Sequence, residues 1–222
     1  MLYVVATPIG NLSDISDRAI EKLKEVDFIL CEDTRVTRKL CEKFDIKTGL
    51  ISYHHHSDSK KIAKIIKKLK NGEDLALVTD SGTPGIADPA GKLVKKITES
   101  GLKIKIVPIP GPSAVTTAAS ISGFYMNRFT FLGFPPKKRK REKFFKKLLD
   151  YDHPVIFYES PHRILKTLRQ LSELEKEKEA VVCRELTKKY ETIYRGQLKD
   201  VLEKLEKEPH TKGEFTVIIN NN

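Results

Sequence analysis

The sequence has no tryptophan and only three cysteines, and no apolar run approaches the ~20 residues that a membrane-spanning helix needs. Cys31, Cys41 and Cys183 lack the spacing of metal ligands, and an odd number of cysteines without a signal peptide indicates reduced thiols. The apolar start, residues 1–6, has no basic residues before it and is followed at once by Pro8, so we expect a first strand there. These features predict a cytoplasmic protein.

Several common binding motifs are also absent. No G-x-G-x-x-G dinucleotide fingerprint and no G-x-x-x-x-G-K-[ST] phosphate loop occurs in the chain. Three adjacent histidines, residues 54–56, would point to alternating sides of an extended segment and would not converge on one ion. We therefore expect no metal site.

The hydrophobic pattern alternates between short apolar runs and amphipathic helices through the first 122 residues. Residues 75–78, for example, form an apolar run, and Ile62, Ile65, Ile66 and Leu69 repeat at helical spacing. Five such alternations are typical of a parallel α/β sheet. The rhythm changes near residue 123, so we predict two α/β domains, 1–122 and 123–222.

Three turns rich in glycine and proline follow predicted strands of the first domain: residues 8–10, 80–84 and 110–113. Carboxyl ends of parallel strands share one edge of a sheet, so the turns would form a pocket lined by backbone groups. The longest loop, residues 79–91, holds three glycines, two prolines and two aspartates. We interpret it as a cofactor loop; the alternative is an ordinary strand-to-helix turn.

Positive charge is concentrated in one stretch. The chain carries a net charge of +11, and residues 137–147 include eight basic residues in eleven, with Glu142 as the single acid. We predict a very basic helix over residues 137–149 that binds RNA phosphates, with Phe144 and Phe145 facing the core. The alternatives are a solvated helix face and a lysine- and glutamate-rich composition typical of thermophiles.

Six sequence motifs resemble those of one protein family. Residues 7–12, 31–35, 80–89, 110–114, 157–163 and 183–188 read TPIGNL, CEDTR, DSGTPGIADP, PGPSA, FYESPHR and CRELTK. Together and in this order they resemble the RsmI family, the cytidine 2′-O-methyltransferases of small-subunit (16S) ribosomal RNA within the tetrapyrrole-methylase superfamily. The resemblance implies two α/β domains of the class III methyltransferase type, with S-adenosylmethionine bound in the cleft between them.

The resemblance also implies site residues. The implied cofactor contacts are Pro8, Ser81, Gly82, Thr83, Ile86, Ala87, Ser113, Ala114, Tyr158, Glu159 and Leu186. The candidate bases for a ribose 2′-hydroxyl are Glu159, Glu185 and Glu32. The implied RNA contacts are Arg35, Lys137, Lys138, Arg139, Arg141, His162, Arg163, Arg184 and Lys188. Each of these charged residues could instead form a structural ion pair at a helix start.

Two other functions remain open at this point: a methyltransferase for a small tetrapyrrole precursor, and a non-catalytic RNA-binding protein of ribosome assembly. The resemblance implies an assembled small subunit as substrate, a decoding-centre cytidine as acceptor, and a homodimer. Many relatives carry a further C-terminal segment, whereas this chain stops soon after the predicted strand at 215–219.

Overall fold

The computed structural model describes residues 1–209 and 211–222. The chain divides into two compact units, Met1–Ser113 and Ala114–Asn222. This division falls earlier than the boundary placed at 122/123, because the helix Ala114–Ser120 packs on two strands of the second unit's sheet.

The first unit is a parallel sheet flanked by helices. Its elements are β1 (Leu2–Val5), α1 (Asp17–Glu25), β2 (Phe28–Cys31), α2 (Thr34–Lys43), β3 (Gly49–Ser52), α3 (Ser59–Lys70), β4 (Leu75–Leu77), α4 (Ala90–Glu99) and β5 (Ile106–Ile109). The strand order is β3-β2-β4-β1-β5 and every pair is parallel, which confirms the predicted parallel α/β architecture.

Local sequence signals explain where these helices begin. Ser16, Asp33 and Asp58 are N-caps whose side chains accept a backbone N–H of the first turn of α1, α2 and α3. The apolar faces of the helices cover both faces of the sheet, whose β4 is completely buried. The buried strand β4 therefore anchors the start of the loop 79–91.

Strand β5 contains a proline. It covers Ile106–Ile109, with Pro108 in its interior, just before the turn at 110–113. Proline has no backbone N–H to donate to a neighbouring strand. Strand β5 tolerates Pro108 because it lies at the edge of the sheet.

The second unit is a mixed sheet. Its elements are α5 (Ala114–Ser120), β6 (Thr130–Phe131), α6 (Arg141–Leu149), β7 (Val155–Glu159), α7 (Ile164–Glu175), β8 (Glu179–Arg184), β9 (Thr192–Gln197), α8 (Leu198–Glu206) and β10 (Phe215–Ile219). The strand order is β6-β7-β10-β8-β9, with β6–β7 parallel and the remaining pairs antiparallel. Helices α6, α7 and α8 contribute Phe145, Leu168 and Val201 to one core on this sheet.

The predicted basic helix is shorter than expected. It begins at Arg141 and not at residue 137, because Lys140 has a left-handed backbone with φ of +67° that no α-helix contains. Residues 137–140 therefore form a non-helical basic segment ahead of α6. Among the described residues, no helix is long and apolar enough to cross a membrane.

Candidate functional site

The three glycine- and proline-rich turns of the first unit meet at the carboxyl edge of the sheet, as predicted. Thr7 and Gly82 exchange two backbone hydrogen bonds of 2.9 and 3.0 Å. The Thr83 hydroxyl donates to the carbonyl of Pro112 at 3.0 Å. The main loop is thus joined directly to the first turn and to the third.

Glycine permits this close approach at two places. Gly82 has a left-handed backbone, with φ of +86°, and a Cβ there would lie 3.3 Å from Ile9 Cγ2. A Cβ on Gly111 would lie 3.1 Å from the Cβ of Ala6. Side chains at either position would push the turns apart.

The loop 79–91 is fixed from within by Asp88. Its carboxylate accepts the N–H of Gly85 at 2.9 Å and the N–H of Ala90 at 2.7 Å. Ala87, between them, has a φ of +65°, a conformation that costs free energy for a residue with a Cβ. Ser81 and Ile86 are exposed on this rigid loop, with Ile86 exposed over 44% of its surface.

Three carboxyl groups lie at the ends of β2 and β4. Burial raises the pKa of Glu32 above its ordinary value, and the negative charges of Asp80 and Asp88 add to the rise. Burial also raises the pKa of Asp80, even though its Oδ1 accepts the Asp33 N–H at 3.0 Å. Within residues 1–209 and 211–222, no lysine or arginine forms an ion pair with these three groups. We call Glu32, Asp80 and Asp88 the acidic edge.

Arg35 stands beside the acidic edge but is paired with Asp33. Its guanidinium donates to Asp33 Oδ2 at 2.6 Å, and this hydrogen bond is the main reason why the pKa of Asp33 falls to about 2. The Arg35 side chain is 87% exposed. The acidic edge, backbone groups and exposed Ile86 together suit a ligand with positive charge and an apolar part.

In the second unit, Glu159 lies at the end of β7 and is buried, with 1% of its surface exposed. Its carboxylate accepts hydrogen bonds from Thr167 Oγ1 at 2.6 Å and from the Ser160 N–H at 2.8 Å. Arg163 pairs with it at 2.7 Å, and Arg141 lies 3.9 Å away. A carboxylate this fully occupied has no access to a substrate proton, so the structure argues against Glu159 as the base.

Arg141 was predicted to contact RNA, but only 4% of its surface is exposed. Its guanidinium donates to Gln170, to the Pro136 carbonyl and to the Thr167 hydroxyl, at 3.0, 3.0 and 2.7 Å. Those contacts hold the start of α6 against α7. The prediction was wrong because the Arg141 side chain faces inward. A run of basic residues in the sequence does not show which of them is buried.

Arg163 has a similar structural role, since it also donates to the Pro135 carbonyl at 3.0 Å. Its neighbour His162 is exposed. Arg184 donates to the Lys212 carbonyl at 2.7 Å and lies 3.5 Å from Glu208.

Glu185 and Lys188 form a small network after β8. The Glu185 carboxylate accepts Lys188 Nζ at 2.9 Å and the Glu214 N–H at 2.8 Å, and Lys188 also bonds Glu214. Burial acts to raise the pKa of Glu185, but these two donors hold it below its ordinary value. Glu185 has a φ of +53°, and a Cβ on Gly213 would overlap its side chain. The motif at 183–188 thus depends on glycine at 213.

The cysteine side chains are all buried. Burial raises the pKa of Cys183 to about 12, so it remains a thiol at neutral pH and cannot act as a nucleophile there.

Exposed basic residues surround a cavity between α6 and α7. Lys137, Lys138 and Arg139 are exposed. The cavity has a volume of about 600 Å³, and its lining includes Lys138, Lys140, Lys143, Lys146, Lys166 and Gln170. Sequence reasoning missed Lys166 and Gln170 because they come from α7, and only helix packing brings them to the basic segment.

Comparisons with known proteins agree on one family. A profile described as Tetrapyrrole (Corrin/Porphyrin) Methylases matches residues 1–202. The chain is 43% identical over 220 residues to ribosomal RNA small subunit methyltransferase I of Bacillus subtilis (strain 168), covering 99% of this chain and 74% of the relative. It is 41% identical over 218 residues to the protein of the same name from Thermotoga maritima, covering 98% and 97%.

Solved structures share the fold at lower identity. The crystal structure of diphthine synthase aligns with a TM-score of 0.74 at 16% identity, covering 99% of this chain and 88% of that one. The methyltransferase CobJ aligns with a TM-score of 0.72 at 19% identity, covering 99% and 93%. Likeness at this identity establishes the two-domain α/β architecture alone.

Proposed function

Since the chain belongs to the family of tetrapyrrole (corrin/porphyrin) methylases, we propose that it is an S-adenosylmethionine-dependent methyltransferase of small-subunit ribosomal RNA. The observation that carries the proposal is identity of 41–44% over nearly the whole chain to relatives named ribosomal RNA small subunit methyltransferase I. The finer proposal is 2′-O-methylation of a decoding-centre cytidine in 16S RNA, by a cytoplasmic homodimer.

The residues of the first unit fit the cofactor. Bound S-adenosylmethionine supplies a reactive methyl group carried on a positively charged sulfonium. The acidic edge offers negative charge for the cationic groups. We propose that the residues holding it are Pro8, Ser81, Gly82, Thr83, Ile86, Ala87, Ser113, Ala114, Tyr158 and Leu186.

Glu32 is the proton acceptor that we propose for the ribose hydroxyl. Its raised pKa makes it a stronger base than an ordinary carboxylate, and no lysine or arginine among the described residues is paired with it. Glu185 is held by Lys188 and the Glu214 N–H, and we assign it to shaping the 183–188 segment. Holding the acceptor in line with the methyl group supplies a further part of the acceleration.

The exposed residues Lys137, Lys138 and Arg139 are proposed to bind RNA phosphates, together with the lysines of the α6–α7 cavity. Arg35, His162 and Lys188 are proposed to orient the nucleotide. Arg163 and Arg184 would have an indirect role, because they hold backbone carbonyls and carboxylates in place. Arg141 would likewise act indirectly, by holding the start of α6.

The experiment is transfer of a radiolabelled methyl group to small ribosomal subunits that lack the modification, followed by nucleoside mapping. We expect label in 2′-O-methylcytidine and none when the subunits are already modified. Label on a base would overturn the 2′-O assignment, and label on naked RNA alone would overturn the assembled subunit as substrate.

The same assay separates the alternatives. Transfer to a tetrapyrrole precursor but not to subunits would favour the small-molecule enzyme. If calorimetry with S-adenosylmethionine gave no heat and the protein showed no thermal shift, the non-catalytic RNA-binding function would be favoured.

A further inference from the structure

An exposed aromatic residue, Phe134, stands directly before the basic segment. It lies three residues before Lys137, and 53% of its surface is exposed. What distinguishes Phe134 is its position, since the exposed ring adjoins four consecutive exposed basic residues, 137–140.

The ring of Phe134 is held in place by a neighbour. Its centroid lies 5.4 Å from that of Tyr158, with an angle of 57° between the ring planes. Tyr158 in turn contacts the ring of Phe131, with centroids 4.9 Å apart in an edge-on arrangement. Tyr158 thus joins the rings of Phe131 and Phe134 into one aromatic cluster.

The backbone after Phe134 is fixed by the buried Glu159 network. Arg163 donates to the Pro135 carbonyl and Arg141 to the Pro136 carbonyl, each at 3.0 Å, and Glu159 lies beside both arginines. An aromatic ring that is already ordered loses little conformational entropy when a ligand binds to it. The network therefore gives a rigid platform at the entrance to the basic segment.

Charge next to this platform identifies the class of ligand. Residues 137–140 are four consecutive exposed basic residues, and the lysine-lined cavity of about 600 Å³ continues from them. Proteins that bind unpaired RNA combine a basic groove for phosphates with aromatic rings on which bases stack.

We propose that Phe134 stacks on an unpaired base of the RNA substrate while the adjoining lysines bind its phosphates. The proposal rests on the proposed function, because it takes RNA as the substrate. It adds a base-contacting residue that the motif analysis did not single out, and it assigns the Glu159 network to positioning that residue.

The test compares two single-stranded RNA probes of equal length, oligoadenylate and an abasic ribose-phosphate chain. The variants are F134L, which keeps an apolar contact with Tyr158 but loses the aromatic face, and F134W, which keeps that face. Stacking contributes about 1–3 kcal/mol per base, so F134L should weaken binding of oligoadenylate by about fivefold to a hundredfold. F134W should bind within about twofold of the parent protein, on the same grounds.

The abasic probe shows whether the loss of affinity depends on the base. F134L should bind it as the parent protein does, and the salt dependence of oligoadenylate binding should not change, because no charge has been removed. Tyr125, exposed over 86% of its surface, gives the matched control Y125L, which we expect to leave both affinities unchanged.

Four results would overturn the proposal: equal loss on both probes, equal loss in Y125L, full binding of oligoadenylate by F134L, or a loss of S-adenosylmethionine affinity alone in F134L. If the parent protein bound S-adenosylmethionine but bound neither probe and transferred no methyl group to small ribosomal subunits, the RNA substrate itself would be wrong. That outcome is distinct from a failure of Phe134.

Discussion

Glu32 and Glu159 lie in comparable places, one directly after a buried strand of the first unit and the other at the end of a buried strand of the second. Their surroundings differ. Glu159 is enclosed by two arginines, a hydroxyl and a backbone N–H, whereas Glu32 lies near two other carboxylates. Removing a compensated, buried carboxylate leaves its partners as unpaired charges, whereas an uncompensated carboxylate is an unfavourable charge that a cationic ligand can relieve. The difference teaches that charge partners, more than position after a strand, distinguish structural from functional glutamates.

The largest effect should follow removal of Glu159. E159A would leave the buried Arg141 and the half-buried Arg163 without their carboxylate, at a cost of about 3–5 kcal/mol in the free energy of unfolding. Urea denaturation measures it. The matched control is E142A, which breaks an exposed pair with Lys146 in α6 and should cost only a small fraction of that. Equal stabilities of E159A and E142A would contradict the structural role.

The next effect tests the packing of the turns beside the acidic edge. Gly82 and Gly72 have similar left-handed backbones, with φ of +86° and +90°, but only at Gly82 would a Cβ meet other atoms within 4 Å. G82A and G72A should each lose about 1–3 kcal/mol of stability from strain. Only G82A should also lose S-adenosylmethionine affinity, because its Cβ would displace the turns that we propose to bind the cofactor. We expect a loss of about tenfold or more, which corresponds to about 1.4 kcal/mol of binding free energy.

Calorimetric titration measures this difference, provided that the two variants are compared under conditions in which the same fraction of each is folded. Comparable cofactor affinities in G82A and G72A would show that the junction of the turns does not shape the binding site.

Neutralising the basic segment should affect RNA binding, whereas neutralising exposed charge on α3 should not. K137A/K138A/R139A should lower the slope of log affinity against log salt by about 2, at about 0.7 per phosphate contact for a single strand. K60A/K64A/K67A removes the same charge from the exposed side of α3 and should leave the slope unchanged. An unaltered slope in the first variant would contradict the basic segment as an RNA contact.

The smallest effect concerns Glu32. Because its pKa is raised in the folded protein, ionisation costs folded-state stability, and that cost exists only above the ordinary glutamate pKa of about 4.3. E32Q should therefore be more stable than the parent at pH 7, and the gain should vanish as the pH falls below about 4. Thermal unfolding across this range measures it, and methyl transfer should fall in the same variant.

E142Q is the control of opposite sign. The hydrogen bond from Lys146 lowers the pKa of Glu142, so E142Q should be the less stable protein at neutral pH, and its deficit should shrink in acid. A pH-independent difference for E32Q would show that neither burial nor the neighbouring carboxylates raise the pKa of Glu32.

Much of the fold could be predicted because its signals are local. The helical repeat of residues 62–69 predicted a helix where α3 lies, and the N-caps Ser16 and Asp58 begin α1 and α3. The less local features were predicted less well. Helix α6 starts late because of the backbone of Lys140, and strand β5 accepts Pro108 because no strand among the described residues pairs with its outer edge.

The sequence by itself determined the alternation of strands and helices, the three constrained turns and the family, since each depends on residue types at fixed spacing. Only the tertiary structure decided which charged residues are buried together. Glu159, Arg141 and Thr167 are separated along the chain and meet through the packing of α6 and α7 at the end of β7. Burial and pairing depend on that packing, and they decide whether a charge holds the fold together or remains exposed to bind a ligand.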